Sequence, residues 1–545
     1  MWRCLAVVLL LASPSCAEAK PAPPIAAVVE TAQGALQGSC VGGSCVFKGI
    51  PYAEPPVSDL RWRPPVHPPE AWNGTRDATE WGANCPQLTL TGVVAGEESC
   101  LFVNVFAPEA CFGGGGSGSK CAVMFWIHGG AYTAGGTAPP IGAQFNGSNF
   151  NALADDVVVV TANYRLGILG FAGAEALRAR DTAGGGSTGN YGIQDQRAAL
   201  RWAQANIGAF GGDAGNVMIF GESAGSGSVA NHLVHEQSWP LFDKAGMESG
   251  PFADWSSQPL DMASTRAEAL ATRVGCDPAA GSAVLAACLR GANESAIEAA
   301  AHGLPDSDLL CDWSPVIDGV ELTDEPQRLA AAGKLKRGVP TLLGTNHDEG
   351  TEFVSFPLNG TQRDFDAYAA ANVKGYGSQV VGAYPLSDYP KTTYASPGWW
   401  AASGVMGDSQ MSCPARRTAR WIEAAGGTPY LYFLTHKLVL ADAVELKTKK
   451  PLGVFHGTDL GFVFKFKPLL SATEEALADV IIGYWTSFAV DGVPSSPGQV
   501  AWPAYAAATD QNLNLNLVPS IQTGLKSDLC AFWDTVTQNK TARGV

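Results

Sequence analysis

The chain has 545 residues, 46% of them hydrophobic and 16% charged, which is enough for a large globular core. Its formal net charge of −16 argues against nucleic acid or an anionic membrane surface as partner, since both are polyanions. No stretch reaches about 18 unbroken apolar residues, so no transmembrane helix is predicted.

In chain order, the first feature is an export signal. Arg3 precedes an apolar run from Cys4 to Ala12, and Ala17-Glu18-Ala19 fits a small-x-small cleavage site. Residues 1–19 therefore read as a signal peptide and 20–545 as a single domain. The polar C-terminal tail lacks the hydrophobic stretch of a lipid-anchor signal. Asn-x-Ser/Thr sequons at Asn73, Asn146, Asn293, Asn359 and Asn539 agree with secretion, and so do the thirteen cysteines. Cys4 and Cys16 would leave with the signal, so eleven cysteines remain and at least one is unpaired or bonded to another chain. Local spacing suggests two small loops, Cys40–Cys45 and Cys111–Cys121.

Five apolar runs of strand length follow, at 121–127, 156–163, 216–222, 339–346 and 429–435. Their apolar residues are nearly continuous, as in parallel strands buried on both faces. Glycine-rich stretches at 113–118 and 184–186 read as surface loops. The segment 193–207 sets Ala199, Trp202, Ala203 and Ile207 on one helical stripe. Strands alternating with helices imply an α/β fold with a large, mostly parallel central sheet.

The third of these strands ends in Gly221-Glu222-Ser223-Ala224-Gly225, the pattern of a nucleophile elbow. A sharp strand-to-helix turn exposes the serine and strains its backbone, and side chains two residues either side would collide, hence the glycines. The helix that follows points its N-terminus at developing negative charge. A serine hydroxyl needs a base, and the base an orienting acid, in the order Ser, acid, His on this fold. Asp348 and Glu349 are candidate acids; His436 and His456 are the only later histidines. His232-x-x-His235 has metal-pair spacing, but no acidic or cysteine cluster accompanies it, and it reads as the helix after the serine. No metal or organic cofactor is expected.

Beyond this pentapeptide, the sequence resembles the type-B carboxylesterase/lipase family, which includes the cholinesterases. "FKGIPYAEPP", "EESCLFVNVFAP", "DQRAALRWAQANIGAFGGDAGNVMIFGESAG", "SPVIDG", "LLGTNHDEG" and "GVFHG" follow in family order across nearly the whole mature chain. The resemblance implies an α/β-hydrolase fold, a Ser223–His456–Glu349 triad, and hydrolysis of a small-molecule ester through an acyl-enzyme. It implies an oxyanion hole from the backbone N–H groups of Gly130, Ala131 and Ala224, with Ala131 standing where the family usually has a third glycine. Glu222 matches an acid beside the nucleophile, and Ser249 a serine near the Glu–His pair. The family pairs Cys85 with Cys100, Cys276 with Cys288, and Cys413 with Cys530. Cys311 is left over, at a position where cholinesterases carry an acyl-pocket aromatic; Phe353 is a second candidate for that pocket.

The loop between Cys85 and Cys100 holds fourteen residues and no aromatic, unlike the long flap of family lipases or the choline-binding Trp of cholinesterases. Glu352 replaces another common gorge aromatic. An open-site carboxylesterase is expected, ahead of a secreted lipase or sterol-ester hydrolase. A neuroligin-like adhesion protein would usually lack a triad residue and carry a membrane helix. Oligomeric state is not legible in the sequence.

Overall fold

The computed structural model describes residues 24–543, apart from 90–91, 113–119, 179–184, 302–303, 305–310 and 312. The expected signal peptide and the glycine-rich loop at 113–118 lie outside the described residues. Of the second such loop, Gly185 and Gly186 are described and form a left-handed turn (φ 69° and 87°).

All five apolar runs become strands of one 13-stranded sheet. Across its centre run Val157–Ala162, Cys121–Ile127, Gly212–Glu222, Lys244–Glu248, Thr341–Asn346, Pro429–Leu434 and Gln511–Leu515, each parallel to the next. Antiparallel strands extend both edges. Phe102–Pro108, Ser44–Pro51, Gly34–Val41 and Ile25–Thr31 lie on one side, and Ser520–Thr523 on the other. This is the architecture of an α/β-hydrolase.

The continuous apolar runs have a direct physical cause. In Cys121–Ile127, Val123, Phe125 and Ile127 enter the core on one face, while Ala122, Met124 and Trp126 enter the core on the other. Period-two alternation puts successive side chains on opposite faces, and here helices cover both. The helices Tyr191–Asn206 and Ala224–Val234 supply the first face; the long helix Ala472–Asp491 supplies the second.

The expected helix at 193–207 runs from Tyr191 to Asn206 and is more deeply buried than its apolar stripe implies. Asp195, off that stripe, is fully buried and accepts two 2.7 Å hydrogen bonds from the Arg165 guanidinium. A buried charge is tolerated here because its partner is held in fork geometry.

Disulfides join Cys40–Cys45, Cys85–Cys100, Cys111–Cys121, Cys276–Cys288 and Cys413–Cys530. Among the described residues, no helix is long and apolar enough to cross a membrane. Because the central strands are parallel, their carboxyl ends open on one edge, and the loops after Ile127, Glu222, Glu248 and Asn346 meet there.

Candidate active site

Ser223 sits at the end of Gly212–Glu222 with φ 57° and ψ −123°, a conformation L-residues rarely adopt, and Ala224–Val234 begins at the next residue. The neighbouring strand imposes the flanking glycines as much as the turn does. A Cβ on Gly221 would lie 2.5 Å from the Ile127 carbonyl oxygen and 2.6 Å from the Gly225 carbonyl carbon. One on Gly225 would lie 2.0 Å from the same Ile127 oxygen. The strained turn is pinned by a 2.9 Å hydrogen bond from the Ser223 N–H to the Glu248 carbonyl.

His456 reaches this edge from the loop after Val439–Thr448, and Glu349 from the turn after Thr341–Asn346. His456 Nδ1 lies 2.6 Å from Glu349 Oε2. The other carboxylate oxygen of Glu349 accepts from the Ser249 hydroxyl at 2.5 Å and from the Asn346 N–H at 2.7 Å. Of the candidate acids, Asp348 faces away: it accepts from the Val454 N–H and pairs with the exposed His347. Of the candidate bases, His436 is bonded to Glu474, away from the serine.

On its other side, His456 Nε2 lies 3.1 Å from Glu222 Oε1. Neither atom has a hydrogen bond of good geometry, and both are buried. Among the described residues, Ser223 Oγ makes no hydrogen bond either; catalytic hydrogen bonds are often long until substrate binds. Burial pushes the Glu222 carboxyl up to about 8, against the attraction of His456. Burial alone would lower the His456 ring, but the carboxylates of Glu222, Glu349 and Glu352 outweigh it and raise the ring to about 10. Glu352, half-buried, is itself raised to about 7 by burial.

The turn after Ile127 approaches the serine closely: a Cβ on Gly129 would fall 3.1 Å from Ser223 Cβ. Gly130 and Ala131 both have positive φ (109° and 53°). Neither N–H has a partner among the described residues. Ala224 opens its helix, so its N–H has no intrahelical acceptor. Three backbone donors thus lie on the Gly130–Ala131 turn and at the start of the helix after the serine. The Cys85–Cys100 loop is fastened to this turn through Gln87, whose amide exchanges two hydrogen bonds with Gly135 (2.7 and 2.9 Å).

The Phe353 ring packs edge-on against His456, centroids 4.9 Å apart. Cys311 is buried and belongs to none of the five disulfides. Burial first, and the Cys311 thiol second, push up the Tyr132 and Tyr164 hydroxyls. His232 is buried, with both ring nitrogens turned to protein partners, Ser238 Oγ at 2.9 Å and Gln196 Oε1 at 3.0 Å. All five sequon asparagines are exposed.

Sequence reasoning missed a second layer of acids. Glu248 is buried, accepts 2.7 Å from the Trp485 indole, and has a second oxygen without a partner. Asp459 is buried and accepts from the Tyr432 hydroxyl at 2.7 Å and from Asn346 at 3.2 Å. Burial raises both carboxyls. Their positions, next to Ser249 and three residues after His456, were the available signal.

A model of the carboxylesterase family matches residues 25–533. The chain is 31% identical to a mouse cholinesterase, over 93% of this chain and 86% of the relative. It is 30% identical to an acetylcholinesterase of Bungarus fasciatus, over 96% of this chain and 89% of the relative.

Proposed function

The chain belongs to the carboxylesterase family and is a carboxylic ester hydrolase; on that premise we propose that it is a secreted serine esterase using Ser223, His456 and Glu349. The observation that carries the assignment is the Glu349–His456 pair, 2.6 Å apart and set beside the strained Ser223 turn. His456 takes the Ser223 proton as Oγ attacks the ester carbonyl. Gly130, Ala131 and Ala224 N–H groups receive the oxyanion, each such donor being worth about 10²–10³ in rate. The alcohol leaves with the proton from His456, and water then repeats the sequence on the acyl-enzyme.

A protonated imidazole cannot act as base, so the proton between Glu222 and His456 matters. Placed on Glu222, whose burial favours the neutral acid, it removes the largest attraction holding His456 charged and frees Nε2 for the serine. The short Cys85–Cys100 loop, tied down by Gln87, suits soluble esters with short or medium acyl chains. The N-terminal segment, the five disulfides and the exposed sequons support secretion as one processed domain.

A series of p-nitrophenyl esters from acetate to palmitate, with Ser223→Ala as control, tests this reading. Acetate or butyrate should lead, and the mutant should be inactive. An optimum only on long chains above their solubility limit would overturn the open-site reading, and activity retained by Ser223→Ala would overturn the serine mechanism.

A further inference from the structure

We infer that His128 is a positioning residue for the oxyanion hole: its Nδ1–H fixes the peptide that carries the Gly130 N–H. The inference rests on the serine-esterase reading above and concerns a residue outside the triad.

His128 is buried and directly precedes the turn, and its Nδ1 lies 2.8 Å from the Gly129 carbonyl oxygen. A carbonyl only accepts, so the proton sits on Nδ1. The peptide joining Gly129 to Gly130 is trans, because the only cis bonds among the described residues are His67–Pro68 and Pro139–Pro140. In a trans peptide the C=O and N–H point in opposite directions. Anchoring the Gly129 oxygen to the ring therefore turns the Gly130 N–H away from the ring and fixes its direction. Neighbouring peptides are fixed in the same way. The Tyr164 hydroxyl donates to the His128 carbonyl at 2.8 Å. The Gly130 carbonyl accepts from the Thr133 and Ala134 N–H groups at 3.0 and 2.9 Å, which aims the Ala131 N–H.

The surroundings leave the ring little choice. It stacks on Tyr164 with centroids 4.4 Å apart and planes 21° apart. Gly135 lies against the Nδ1–carbonyl bond; a Cβ there would meet Nδ1 at 2.4 Å and the Gly129 oxygen at 2.5 Å. Nε2 is buried without a hydrogen-bond partner, so a proton on that nitrogen would have no acceptor. Burial accordingly lowers the ring to about 4, which keeps it neutral while the esterase works.

Two near-isosteres separate positioning from packing. The Asn side-chain amide overlays Nδ1 and can donate to Gly129; the Gln amide overlays Nε2 and cannot. With p-nitrophenyl butyrate, His128→Gln should lower kcat about 10- to 100-fold with KM within about threefold, a fraction of the effect of losing a whole oxyanion donor. Affinity for a trifluoromethyl ketone, which forms the tetrahedral adduct, should fall by a similar factor. His128→Asn should recover at least tenfold over His128→Gln. Equal kcat in the two variants, or a loss expressed in KM alone, would overturn the inference. If neither variant folds, ¹⁵N NMR of the wild-type ring decides: an Nδ1–H tautomer supports it and an Nε2–H tautomer overturns it. Activity in Ser223→Ala would instead strike at the esterase mechanism and not at His128.

Discussion

The two sides of the His456 ring are built differently. On the Nδ1 side, both oxygens of Glu349 accept from donors: the ring, the Ser249 hydroxyl and the Asn346 N–H. On the Nε2 side, Glu222 comes within 3.1 Å, but its Oε1 has no hydrogen bond. A buried carboxyl with an unsatisfied oxygen gains by taking a proton, whereas one surrounded by donors serves as an acceptor. One side therefore orients the ring, and the other holds a proton close to it.

Breaking the Nδ1 side should have the largest effect. Glu349→Gln puts an amide against the ring and favours the wrong tautomer, so kcat on p-nitrophenyl butyrate should fall roughly 10³–10⁴-fold. Ser249→Ala removes one charge-assisted hydrogen bond to Glu349, worth about 1.5 kcal/mol, and kcat should fall about tenfold. On the Nε2 side the expected effect is on pH dependence. His456 must be neutral to act as base, so activity is lost as pH falls through its pKa. Glu222→Gln removes a carboxylate that raises that pKa, and the acid limb of kcat/KM should move down by about one pH unit. An unmoved acid limb would mean that Glu222 is already neutral there, and an upward shift would contradict its attraction for the charged ring.

Glu298 extends the comparison to a buried carboxyl that is not paired with His456. It is buried on the helix Glu294–Ala301, one oxygen has no partner, and burial raises it to about 8. Such a group favours the folded state below its unfolded pKa, and that contribution is lost as pH rises through the folded value. Wild-type Tm should fall between about pH 5 and about pH 8, and Glu298→Gln should reduce that fall by a few degrees, with activity unchanged.

The sheet's centre was legible because strands covered on both faces leave nearly unbroken apolar runs, as Cys121–Ile127 does. The antiparallel edge was not. Ile25–Thr31 is exposed at alternate positions and Gly34–Val41 is interrupted by glycines, so neither stands out from a loop. The elbow was legible because steric exclusion writes glycine into the sequence at Gly221 and Gly225. Glu248, Asp459 and the Arg165–Asp195 pair were not, since a buried polar residue is explained only by a partner far along the chain. His128 stood in view in the "HGGA" turn, but its role depends on which nitrogen faces Gly129, and only the structure gives that.

The Ser223 mechanism is tested most directly by labelling active protein with a fluorophosphonate and mapping the adduct by peptide mass spectrometry. One adduct should form, on Ser223, in step with loss of esterase activity, and be absent from Ser223→Ala. An adduct on another residue, or full inhibition with Ser223 unmodified, would contradict that mechanism.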